Sequence, residues 1–195
     1  MGTTRLEAFS DGVLAIIITI MVLELRPPHQ PELSALRSLG PTFSAYVLSF
    51  IDLGIYWNNH HHMMQAAARV SGSVLWANLH LLFWLSLVPF ATAWMGENHF
   101  EAVPVALYGV VLLMAAIAYW ILQHRILAQE HRDSLLHRAL GPDLKGKISP
   151  LLYLVAIGGA FVHTLIPGVI YVAVALMWLV PDRRIESLTE ADRER

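Results

Sequence analysis

The sequence predicts an all-α integral membrane protein with six transmembrane helices per chain. Three observations carry this reading. Of 195 residues, 56% are hydrophobic and 14% charged, with a mean hydropathy of +0.53, against roughly 45–50% apolar and 25% charged in soluble domains. Apolar segments of bilayer length recur along the chain, and the basic residues fall in alternate intervals between them. One six-span transmembrane domain, 1–181, holds all the apolar segments, followed by a charged tail, 182–195. The chain has no cysteine, which excludes disulfide scaffolds and thiolate metal sites.

The first segment, Leu6 to Leu25, would be about 30 Å long as one helix, the thickness of the hydrocarbon core. The apolar run from Gly12 alone is too short, so Ser10 and Asp11 are carried into or beside the membrane, where an ionisable group must face protein or water. That predicts an inner helix. Glu7 accompanies Arg5 ahead of the run and no small-residue cleavage site precedes Arg26, Pro27 and Pro28, so this is not a cleavable leader. Residues 26–41 form a proline-rich loop, with Glu32 to Leu39 helical between its prolines. The second span, Thr42 to Met63, carries Asp52, Trp57, Asn58, Asn59 and His60 to His62, and is too polar to face lipid throughout.

The third span, Val74 to Met95, contains Asn78, His80 and Pro89, the proline being tolerable where neighbours satisfy the freed carbonyl. Val103 to Leu122 is a charge-free fourth span. The polar stretch 123–149 extends that helix into water and breaks at Gly141 and Pro142. Pro150 to Ile166 and Val169 to Val180 are two further apolar runs; as one helix, Ile148 to Val180 would reach about 50 Å, so a tight turn at Pro167-Gly168 divides them. With six spans, eleven of the 13 basic residues, from Arg5 through Arg69, Lys145 and Lys147 to Arg195, fall on one side and only Arg26 and Arg37 on the other. This excess places both termini in the cytoplasm.

Ile16, Ile20 and Leu23 recur at i, i+4 and i+7 and share one face of the first helix, bordered by Gly12 and Thr19. The spacing fits a functional face and ordinary packing or lipid-facing aliphatics alike. Arg5 and Asp11 are too far apart to pair on one helix. If buried, each needs a partner among Asn58 to His62, Asn78 and His80; otherwise both lie at headgroup level. Consecutive His60, His61 and His62 point about 100° apart rather than sharing a face as H-E-x-x-H ligands do, so no metal site is expected. Asp52, near the middle of its span, is protonated, hydrogen-bonded or water-facing. There is no phosphate loop, no nucleophile elbow, no T-V-G-Y-G filter and no arginine-repeat voltage sensor.

Arg5, three residues, then Phe9-Ser10-Asp11-Gly12, leading into Ala15-Ile16 with Thr19, resembles the first-helix signature of the transmembrane protein 175 family of potassium channels. Trp57 with His60-His61 is similar to its W-x-x-H-H segment, and Asn78, Leu82 and Pro89-Phe90 to its third helix. The resemblance implies a single-repeat prokaryotic potassium channel, multi-pass in the plasma membrane, assembled as a homotetramer. It implies that the first helix lines a four-fold pore, with Ile16, Ile20 and Leu23 as a hydrophobic gate and Thr19 as a pore-facing hydroxyl. Arg5, Phe9, Ser10, Asp11, Trp57, His60, His61 and Asn78 would form the signature polar network. No enzyme activity or cofactor follows, potassium is the permeant ion, and the partners are the lipid bilayer, with anionic lipids at 123–149, and no nucleic acid. Asp52 departs from the family pattern. An apolar ring offers few ligands, so the ion that sheds water more easily passes more readily, which favours potassium over sodium. The alternatives are a secondary transporter or proton-coupled carrier using Asp52 and His163, which would need discontinuous helices and an internal repeat, and, further off, an intramembrane enzyme.

Overall fold

The computed structural model describes residues 2–29, 31–67, 69–129 and 144–179. Arg132, Arg138, Gly141, Pro142 and the tail 182–195 lie outside them. All regular structure among the described residues is helical: α1 Thr3–Leu23, a 3-10 helix Leu33–Leu39, α2 Gly40–Ala66, α3 Gly72–Ser86, α4 Val88–Glu97, α5 Ala102–Leu127, α6 Leu144–Gly159 and α7 Leu165–Leu179. Helices suit such a chain because lipid offers the backbone no hydrogen-bond partner. Four helical stretches are long and apolar enough to cross a bilayer: Thr3–Leu23, Leu33–Gln65, Gly72–Glu97 and Ala102–Leu127.

The buried residues of α1, Leu6, Ser10, Leu14, Ile17 and Met21, recur every three or four positions and so form a single stripe. That stripe packs on α2, α3 and α4. Pro41 does not interrupt the approach to α2, since it falls in the helix's first turn, where its missing N–H costs nothing. The third span divides at Leu87 into α3 and α4, and Pro89 again occupies a first turn. Leu87 N–H bonds the Trp84 carbonyl and Ala91 N–H bonds the Leu87 carbonyl, both across the break.

Helix α5 is the centre of the bundle, in contact with α3, α4, α6 and α7. Gly109 makes the closest of these approaches possible: a Cβ there would collide with the Tyr171 hydroxyl, which donates to the Val105 carbonyl at 3.0 Å. Gly96 does the same between α4 and α2, where a Cβ would stand 2.7 Å from the Thr42 backbone.

The last hairpin corrects the sequence reading. The chain turns at 160–164, and Pro167 and Gly168 are inside α7. Proline in a first turn is compatible with a helix that has already begun. His163 prepares that start, its Nδ1 accepting the Leu165 N–H at 3.2 Å. Pro150, expected to open the fifth span, lies inside α6 instead. At 16 and 15 residues, α6 and α7 are each about 23 Å long, shorter than the first four stretches.

Candidate functional site

The two faces of α1 have opposite environments. On the packed face, near the helix start, Ser10 is fully buried and donates its hydroxyl to the Leu6 carbonyl at 2.9 Å. It accepts from Asn78 Nδ2 on α3 at 2.9 Å, and Asn78 Oδ1 lies 2.7 Å from His60 Nε2 on α2. With the amide nitrogen committed to Ser10, Oδ1 is the acceptor and His60 Nε2 carries the proton. His60 Nδ1 is then an acceptor without a partner among the described residues.

Two further contacts flank this buried chain. Trp57 Nε1 donates to Asp11 Oδ1 at 3.0 Å, and His61 Nδ1 lies 2.6 Å from the Glu7 carboxylate. Glu7, Ser10 and Asp11 sit at i, i+3 and i+4, so one side of a helical turn delivers all three polar groups to α2 and α3. The indole of Trp57 and the ring of His61 stack at 6.2 Å, which locks the second contact to the first. Of the predicted network, Ser10, Asp11, Trp57, His60, His61 and Asn78 are thus brought together.

Arg5 and Phe9 are not. Both are exposed, and Arg5 has no ion-pair partner among the described residues, which is the headgroup-level alternative rather than the buried one. Glu7 was the residue sequence reasoning passed over; its spacing from Asp11 was the available signal. Asn59 donates back to the Ile55 carbonyl of its own helix, and His80 accepts from Trp84 Nε1. The three consecutive histidines diverge, and among the described residues no group of three His, Asp or Glu is placed to hold a metal ion.

The opposite face of α1 is apolar and open. Ile16 is 61% exposed, Ile20 43% and Leu23 73%, with Thr19 exposed beside them. Thr19 donates its hydroxyl to the Ala15 carbonyl at 2.8 Å. Between this face and α4 runs a groove of about 680 Å³ that includes Ile16, Ile20, Phe90 and Trp94, with Glu24, Arg26 and Glu97 at one end. A helix fixed by polar contacts on one side and bare of partners along an apolar stripe on the other is built to meet something beyond its own chain.

Asp52 is buried, and its Oδ2 accepts from the Tyr108 hydroxyl at 3.0 Å. His163 is in the α6–α7 turn, and no contact among the described residues joins it to Asp52.

The family model described as "Endosomal/lysosomal potassium channel TMEM175" matches residues 5–89, a span that opens on Arg5 and closes on Pro89. A potassium channel of Chryseobacterium sp. (strain P1-3) is 54% identical over 186 residues, covering 95% of this chain and 97% of that one. The chain belongs to the TMEM175 family. A potassium channel of Streptomyces collinus (strain DSM 40733 / Tue 365) is 37% identical over 123 residues, 59% of this chain and 60% of the other. The crystal structure of a lysosomal potassium-selective channel TMEM175 homolog from Chamaesiphon minutus superposes with a TM-score of 0.79 at 31% identity, covering 92% of this chain and 97% of that chain.

Proposed function

We infer that this chain is a potassium channel, not an enzyme, and that it works as a homotetramer in which α1 of each subunit lines a four-fold pore. Ile16, Ile20 and Leu23 then stack as an apolar constriction in place of a carbonyl filter, with Thr19 the polar group at that level. The observation that carries this reading is the exposed aliphatic stripe on a helix whose other face is held by hydrogen bonds. Four such stripes facing one axis bury each other and leave a narrow passage whose width and wetting govern permeation.

The topology we propose has six spans, α3 and α4 together forming the third and the α6–α7 hairpin the last two. Basic residues concentrate beside α5 and α6, which assigns that side to the cytoplasm and, with it, both termini. The membrane is the plasma membrane, with anionic lipid headgroups engaged by the basic residues of 123–149. The domain is 1–181, with 182–195 as a cytoplasmic tail.

Ile16→Asn tests the constriction. A polar side chain eases hydration of the plug and offers oxygen to partly dehydrated ions, so current rises and potassium-over-sodium selectivity falls. Reversal potentials under bi-ionic conditions read both, against Leu154→Asn on the exposed face of α6 as the control. Unchanged current and reversal potential in tetrameric Ile16→Asn protein would show that α1 does not line the pore.

A further inference from the structure

We propose that Glu24 supplies the negative field that gathers potassium at the outer entrance of the pore, and so sets how fast ions reach the apolar constriction. The inference rests on the four-fold reading of α1 given above and adds to it a residue outside the aliphatic stripe. Glu24 caps the C-terminal end of α1 with φ −73° and ψ −14°, so the helical phase carries through it. It stands at i+4 from Ile20 and i+8 from Ile16, which places it on their face, one turn further out. The structure agrees with that phase: Glu24 is half-buried and lines the same groove as Ile16 and Ile20.

Helix stability alone would not put an acid there. The last carbonyls of a helix carry partial negative charge, and cations rather than anions are favoured beside them. The last turn of α1 holds no basic residue, and among the described residues Glu24 has no ion-pair partner. Carboxylate and carbonyl ends therefore add. Arg26 and Glu97 share that end of the groove with Glu24, two acids against one base. The excess extends beyond the groove: on the outer side of the six-span topology Glu24, Glu32, Glu97 and Glu101 outnumber Arg26 and Arg37. Four subunits around one axis would bring four such α1 ends together beside the apolar passage. A cleft of one sign with low-dielectric walls focuses the field and concentrates counter-ions. Such a ring draws potassium and sodium alike, so it governs the supply of cations, while the aliphatic stripe governs the choice between them.

The test is single-channel recording from the purified, full-length protein in a planar bilayer with symmetrical potassium chloride. Glu24→Gln removes the charge, keeps the size and strands no partner. At about 10 mM salt, where the screening length is about 30 Å, its conductance should fall below wild type by roughly two-fold or more; at about 1 M, where that length is about 3 Å, the two should converge. The potassium-over-sodium reversal potential should not move. Glu101→Gln removes an acid from the same side at the start of α5, a helix outside those on which α1 packs, and should match wild type at both concentrations. Because the chain has no cysteine, Glu24→Cys can be modified alone: a sulfonatoethyl thiol reagent should restore the low-salt conductance and a trimethylammonium reagent should lower it further. The proposal is overturned by wild-type low-salt conductance in Glu24→Gln, by an equal loss at both concentrations or in Glu101→Gln, by a shifted reversal potential, or by the same response to both reagents. If Ile16→Asn also leaves permeation unchanged, the pore reading fails; altered permeation in Ile16→Asn beside wild-type conductance in Glu24→Gln confines the failure to Glu24.

Discussion

At the scale of single residues, the hydrogen bonds among Ser10, Asn78 and His60 decide how α1 is held. Replacing Asn78 with Leu keeps the volume but strands the His60 N–H, and a stranded buried group costs about 1–3 kcal/mol, while Ser10 keeps its bond to the Leu6 carbonyl and loses only the one it accepts. Asn78→Leu should lower the melting temperature of the purified protein and reduce the yield of assembled channel on size-exclusion chromatography. Asp11 is only half-buried and bonds a neutral indole, so Asp11→Ala should cost about 1.5–3 kcal/mol, the range for a hydrogen bond to a charged group. A buried ion pair would cost more. The two costs are comparable, and a loss of melting temperature in Asp11→Ala several times that in Asn78→Leu would mean that Asp11 is in a buried ion pair instead. The network was legible in the sequence because Asn59 to His62 and Asn78 fall at the same depth as Ser10 and Asp11. What the sequence reading missed is which charge takes the inward place: Glu7 and Arg5 both precede Ser10, but Glu7 is at i, i+3 and i+4 with Ser10 and Asp11, which brings it to His61 and leaves Arg5 outside.

At the scale of helices, close approach depends on residues without side chains. Gly109→Ala should push Tyr171 out of its bond with the Val105 carbonyl, an overpacking cost of about 1–3 kcal/mol, seen as a lower melting temperature. The position of the last turn was misread for a definite reason. Pro-Gly marks a turn in most contexts, but proline is equally at home in a helix's first turn, and only the His163 cap shows that α7 has begun by Leu165. The turn at 160–164 gives a direct test of the proposed topology. With no cysteine in the chain, single cysteines at Lys145 and Val162 can be labelled cleanly. Labelling of residue 145 from the cytoplasmic side and 162 from the outside is expected; labelling of both from one side would mean that α6 does not span.

At the scale of the whole molecule, α1 is a rod fastened near one end. Its polar contacts with α2 and α3 lie between Glu7 and Asp11, and beyond them, among the described residues, the helix is held by apolar packing along one stripe. Such a rod turns about its fastening, and displacement grows with distance along it. At about 1.5 Å rise per residue, Ile16 is roughly 9 Å and Leu23 roughly 20 Å from Ser10. A tilt of about 10° then moves Leu23 by roughly 3.5 Å but Ile16 by less than half as much, by leverage alone. In the proposed pore, the outer mouth would widen first and the level of Ile16 last, leaving the residue nearest the pivot as the final barrier. In the proposed tetramer, spin labels at residue 23 should give a broader distribution of inter-subunit distances than labels at residue 16. Equal widths at the two positions would mean that α1 translates as a unit and has no pivot.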